Sequence, residues 1–128
     1  MYYRDQMYSR RARIGVITPI DDRVEYAFNH YAPDGVSFDS TRLWFPGPTP
    51  EGLNYLASQL EDSAKMYTKF PHDLVLFGCT SGSCINGVGW DQECIRQIER
   101  ASGCPGLTTS TAVLEAYKAL GLSKTVVM

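Results

Sequence analysis

Long hydrophobic runs are missing from this sequence. No apolar stretch approaches the roughly 20 residues that span a bilayer, and the opening Met-Tyr-Tyr-Arg-Asp-Gln lacks the apolar core of an export signal. The expectation is a cytoplasmic chain with no membrane partner. An excess of one charge is also missing. The net charge is −2, whereas nucleic-acid binding needs a concentrated basic face, so no nucleic-acid partner is expected. The one basic cluster, Arg4, Arg10, Arg11 and Arg13, reads as part of a solvated tail. Histidine is scarce: His30 and His72 both fall beside helix ends and read as surface residues, which gives a catalytic Cys–His pair little support. Cys79, Cys84, Cys94 and Cys104 have neither the paired spacing of zinc ligands nor a neighbouring histidine, so no metal is expected. In a reducing compartment they read as thiols. The sequence has no Gly-x-Gly-x-x-Gly fingerprint and no Gly-Lys-Ser/Thr ending, which removes dinucleotide and P-loop sites. A phosphatase-type loop would need arginine where Ile85 stands.

What is present is an ordinary globular composition, 44% hydrophobic and 20% charged over 128 residues. That is the length of one domain, enough to bury roughly two-thirds of the unfolded surface. Residues 1–12 read as a polar, flexible N-terminal extension, and residues 13–128 as a single α/β lobe. Arg13 to Thr18 predicts a buried strand ended by Pro19. Asp22 can cap a helix over 23–31, which stops at the Pro33-Asp-Gly35 turn. Residues 36–45 predict a second strand, broken by Pro46-Gly47-Pro48. Thr49-Pro50-Glu51 opens one helix through Leu53, Leu56, Leu60, Ala64 and Tyr67, closed by Phe70-Pro71. Leu74 to Phe77 is a short buried strand. A helix over 91–101, a strand over 107–109, a helix from Ser110 to Leu120 and the start of a strand over 125–128 follow. Alternating strands and helices imply a parallel four-stranded sheet with helices on both faces.

The organising stretch is Asp73 to Ser83. In an open α/β sheet, ligands bind outside the carboxyl ends of the strands, and Gly78-Cys-Thr-Ser-Gly-Ser83 sits there with one thiol, three hydroxyls and two glycines. Cys79 reads either as a base or nucleophile or as an inert thiol at a strand end. Thr80, Ser81 and Ser83 read either as donors to a carboxylate or developing enediolate or as caps of the next helix. Thr108, Thr109, Ser110 and Thr111 form a second hydroxyl cluster on the same sheet edge. Cys84, Cys94 and Cys104 read as structural. A redox pair of Cys79 and Cys84 has no supporting context.

Three segments carry a resemblance: Arg13-Ile-Gly-Val-Ile-Thr-Pro19, Phe77-Gly-Cys-Thr-Ser-Gly-Ser83, and Gly103 to Ala116 with Ala119-Leu-Gly121. Together they resemble the aspartate/glutamate racemase superfamily, in its branch of maleate cis-trans isomerases and arylmalonate decarboxylases. The resemblance implies a three-layer, flavodoxin-like half of a two-lobed racemase fold. It also implies a cofactor-independent isomerase- or racemase-like enzyme acting on small mono- or dicarboxylic acids. Cys79 falls on the family's first-half cysteine, a base in the racemases and the nucleophile in the isomerases. Thr80 and Ser81 fall on carboxylate-binding positions, and Pro19 and Asp22 in the first loop. Ser110 and Thr111, in the second hydroxyl cluster, complete the expected substrate-binding set. The isomerases usually carry asparagine at the position of Asp22, and the decarboxylases typically lack the first cysteine. The family's second lobe, with its partner cysteine and a tyrosine-bearing loop, has no counterpart in this sequence, which suggests a homodimer imitating the two-lobed form. The alternatives are a non-catalytic half-domain that binds a small carboxylate or a partner protein, and an arylmalonate decarboxylase-like lyase in a full-length form.

Overall fold

Two apolar runs lie at the centre of the sheet: β1 (Ala12–Pro19) and β3 (Leu74–Phe77), flanked by β2 (Val36–Leu43) and β4 (Gly106–Thr108). The computed structural model describes residues 10–21 and 23–126. The strand order is β2-β1-β3-β4, and every pair is parallel. Of the expected extension, residues 1–9 lie outside the described residues. The N–H groups of Arg11 and Ala12 donate to Gly35 O, and Ala12 opens β1 opposite Val36.

Register assigns the two faces. Ile17 is opposite Phe77, and Phe77 opposite Thr108. Ile17, Leu43, Val75 and Phe77 all enter one core with Leu56, Leu60, Tyr67, Cys94 and Ile98. That face therefore carries α2 (Pro50–Ser58), α3 (Leu60–Ala64), the 3-10 turn Lys65–Lys69 and α5 (Trp90–Ser102). On the other face, Phe28 of α1 (Val24–Tyr31) stacks on Phe38 of β2 with ring centroids 4.9 Å apart. Helices thus cover both faces, as expected. Gly15 allows a close approach between layers: a Cβ there would stand 2.5 Å from the Tyr67 ring. Tyr67 uses that space to donate its hydroxyl to Val16 O at 2.9 Å and Asp39 O at 3.0 Å.

Four sequence expectations are corrected. The long helix after Thr49 starts as foreseen, with Thr49 accepting from Gly52 N–H at 3.1 Å, but it breaks at Gln59. There the Gln59 side chain donates to Trp44 O and Tyr55 O, tying the break to the end of β2, and the chain resumes as α3 and tightens into the 3-10 turn. The loop after β3 contains a short helix, α4 (Thr80–Cys84). No strand forms at Thr125 and Val126, which are exposed; a β-branched run alone supplies no ladder partner, and residues 127–128 lie outside the described residues. His72 is not a surface side chain. It is 3% exposed, with its ring nitrogens 2.9 Å from Phe70 O and 3.0 Å from Asp39 Oδ2 and its edge against Tyr67. Burial would raise the Asp39 carboxyl, but hydrogen bonds from Arg13 and His72 outweigh it and hold the group below its ordinary range.

Candidate functional site

The sheet reverses its winding between β1 and β3, with β2 added on one side and β4 on the other. In open parallel sheets that switch point, at the carboxyl ends of the strands, is where ligands bind. Pro19 is the last residue of β1, and Cys79 lies two residues beyond the end of β3. A cavity of ≈370 Å³ opens between them. Its lining comprises Cys79, Thr80 and Ser81 together with Pro19, Phe45, Pro48 and Leu53; Asp21 is the charged residue of the lining.

Cys79 is half-buried and occupies the N-cap of α4 with extended backbone angles. Its Sγ accepts from Gly82 N–H at 3.3 Å. Gly82 is needed at this place, because a Cβ would lie 3.1 Å from that sulfur and 2.9 Å from the Phe77 ring. The N–H groups of Thr80 and Ser81, in the first turn, have no intrahelical acceptor. Among the described residues, the hydroxyls of Thr80 and Ser81 make no hydrogen bond, and the Asp21 carboxylate makes no ion pair. All three line the cavity.

The second hydroxyl cluster is engaged within the protein. Thr108 caps α6 (Thr109–Ala119) through Thr111 N–H. Thr109 Oγ1 donates to Phe77 O, and Ser110 lies 2.7 Å from Ser83 Oγ and donates to Thr80 O. Thr111 donates to Asp91 Oδ2 at 2.7 Å, which is the main cause of that carboxyl's lowered pKa.

The arylmalonate decarboxylase family model matches residues 14–128. The chain belongs to the arylmalonate decarboxylase family. Among solved structures, it is similar to an arylmalonate decarboxylase double mutant, glycine to cysteine and cysteine to serine, in its liganded form. The TM-score is 0.77 with 31% identity over 86% of this chain and 47% of that one. The maleate isomerase Iso from Pseudomonas putida S16 shares the fold, with a TM-score of 0.74 and 20% identity over 86% of this chain and 50% of that one. So does a Nocardia farcinica maleate cis-trans isomerase mutant with a covalently bound succinylcysteine intermediate, with a TM-score of 0.74 and 20% identity over 86% of this chain and 49% of that one. No curated protein matches at a significant level. The chain spans about half the length of these solved relatives.

Within this family fold, the structure brings Pro19, Cys79, Thr80 and Ser81 to one cavity. Ser110 instead lines a separate cavity of ≈340 Å³ with Ser83, Cys84 and Asp91, and Thr111 points its hydroxyl to Asp91. Asp22 lies outside the described residues. Sequence reasoning missed Asp21, Phe45, Pro48 and Leu53 as cavity residues. The signal for the apolar wall was available, because the Pro46-Gly47-Pro48 break falls at the carboxyl end of β2, beside that of β1. The four thiols also separate. Cys94 is fully buried, and burial, with Asp91 and Glu93 adding to it, pushes its pKa up to about 12. Cys84 is exposed and outside the Cys79 cavity.

Proposed function

We propose that this chain carries a cofactor-independent, cysteine-centred site of isomerase or racemase type for small carboxylic acids, with Cys79 as base or nucleophile. The observation that carries the reading is the grouping of the Cys79 thiol with the unengaged hydroxyls of Thr80 and Ser81 in one cavity at the switch point. The Gly82 N–H donates to Sγ, and the thiolate is the reactive form of cysteine. A carboxylate bound by Thr80 and Ser81 puts its α-carbon beside that sulfur. The thiolate then takes the α-proton, leaving a thiol and an enediolate whose charge the same donors stabilise. On an unsaturated acid the sulfur adds to a double-bond carbon, and the electron pair passes into the carboxylate. Rotation about the resulting single bond and expulsion of the thiolate return the isomerised alkene. The covalent succinylcysteine of the Nocardia farcinica relative supports this second route.

Site-resolved alkylation tests the reading. With iodoacetamide at pH 7, Cys79 reacts at least about tenfold faster than Cys84, because only thiolate reacts, and buried Cys94 stays unmodified. Proton NMR in deuterium oxide then detects exchange at the α-carbon of a bound acid, with retention of configuration when one base acts from one face. Equal reactivity at Cys79 and Cys84, together with no exchange, sinks the proposal. A second reading is a non-catalytic half-domain that binds an acid or a partner protein. Carboxylate binding without α-exchange would favour it. Native mass spectrometry reports whether a homodimer forms.

A further inference from the structure

Asparagine is rare in this chain, and of Asn29, Asn54 and Asn86 only Asn86 precedes a glycine. The Asn86-Gly87 pair lies in the turn that leaves α4, and both residues are exposed. Gly87 has a φ of +84°, a left-handed conformation that glycine adopts without strain, and its N–H donates to Cys84 O at 3.0 Å. The Asn86 side chain reaches α2, where its Nδ2 donates to Asn54 Oδ1 at 2.9 Å. A third bond fixes which way both carboxamides face. Asn54 Nδ2 donates to Pro50 O at 2.9 Å, and a carbonyl only accepts, so Asn54 presents its oxygen to Asn86. Leu53 of α2 and Thr80 and Ser81 of α4 all line the Cys79 cavity, so this amide pair joins two elements that shape it.

We infer that Asn86 is a site of spontaneous, succinimide-forming deamidation, and that its hydrogen bond to Asn54 slows the reaction in the native fold. An asparagine followed by glycine suits this cyclisation, because glycine carries no side chain to hinder the approach of its own nitrogen. Gly87 N gives its proton to a solvent base and bonds to Asn86 Cγ. The Cγ–Nδ2 bond breaks, and the nitrogen leaves as ammonia with a proton from water. Water then adds to either carbonyl of the imide and breaks its C–N bond. The products are aspartate, or isoaspartate with the main chain running through the former side chain, and water is the only co-reactant. The fold opposes the first step twice. A Gly87 N–H donated to Cys84 O is not free to give up its proton, and a carboxamide tied to Asn54 is held in one rotamer. After the reaction, a carboxylate at position 86 has no hydrogen to donate to Asn54 Oδ1. The tie between α2 and the end of α4 is then lost, unless Asn54 turns over and gives up Pro50 O.

The test is incubation of the whole chain in warm, mildly alkaline buffer, followed by mass spectrometry and peptide mapping. Deamidation adds the mass difference between an amide and an acid. Asp34-Gly35 can cyclise in the same way but returns its original mass, so the gain reports on asparagine, and mapping assigns it to position 86. Asn54→Ala is expected to speed the gain about three- to tenfold, the effect of releasing one exposed hydrogen bond. Asn54→Asp keeps an acceptor for Asn86 Nδ2 and should stay within about twofold of the natural chain. A comparison that needs no variant is the chain in guanidinium chloride, where both restraints are gone and the gain should be at least about tenfold faster than in the native state. No gain at position 86 in guanidinium chloride overturns the site. Equal rates in the native and denatured chain, or equal acceleration by Asn54→Ala and Asn54→Asp, overturn the restraint by Asn54.

Discussion

At the residue scale, what separates functional from structural polar groups is whether a partner within the chain already holds them. The hydroxyls of Ser83, Ser110 and Thr111 are all engaged, whereas the hydroxyls of Thr80 and Ser81 and the Asp21 carboxylate have no partner among the described residues and belong to residues that line the Cys79 cavity. Sequence could place both hydroxyl clusters on one sheet edge but could not tell these cases apart, because the distinction is set by hydrogen bonds between residues 27 and 30 positions apart. Cys79 was legible because it follows an apolar strand by two residues. Asp21 was not, because nothing local distinguishes it from the adjacent Asp22. Thr18 is a third case. It is fully buried on β1, and its hydroxyl has no hydrogen-bond partner among the described residues. A buried hydroxyl left unpaired is costly, and its replacement by an apolar group of the same shape can be stabilising. Thr18→Val is therefore expected to leave stability unchanged or raise it by up to about 1 kcal/mol in urea denaturation. A loss of more than about 1 kcal/mol would mean that this hydroxyl has a partner in solution.

At the element scale, short elements are held by single close contacts more than by their own propensity. The helix α4 has five residues, too few to be stable alone. It is fastened by Cys79 Sγ at its start and by Trp90 Nε1, which donates to Gly82 O at 2.9 Å. Its existence was therefore hidden from a reading of periodicity, which needs longer windows. The same applies to the break at Gln59, whose side chain donates to Trp44 O, fifteen residues earlier. By contrast, α5 was legible from its sequence: Cys94 and Ile98 share its buried face, and Gly103, at φ 73°, ends it. Gly15 exemplifies the contacts that sequence conceals, being an unremarked glycine inside a strand. Gly15→Ala would push a methyl into the Tyr67 ring, disturbing its hydrogen bonds to Val16 and Asp39. The expected cost is about 1–3 kcal/mol, the usual range for overpacking a filled core. Part of it should return in a Tyr67→Leu background, where the ring is absent. A cost that is the same in both backgrounds would show that the ring is not what excludes the methyl.

At the scale of the whole molecule, the strand order was recoverable only as a class, because alternation of strands and helices specifies a parallel sheet without specifying which strand lies beside which. The order β2-β1-β3-β4 brings Pro19 and Cys79 side by side although sixty residues separate them. The same order leaves the two ends of the sheet unequally supported. Val16 and Ile17 of β1 and Val75 and Phe77 of β3 are fully buried, but no residue of α6 is. That helix is fastened by its first-turn hydroxyls to Thr80, Ser83 and Asp91, and beyond them Val113 and Leu114 remain 39% and 52% exposed. Stability should therefore be graded along the chain, since segments with few buried apolar contacts open locally without global unfolding. Native-state hydrogen exchange is expected to find the amides of β1 and β3 exchanging only through global unfolding. The amides of residues 114–120 should exchange at least about a hundredfold faster. Equal protection in both regions would mean that α6 is covered in solution. If that protection then weakened on dilution, the cover would be another copy of the chain, seated on the apolar face of α6.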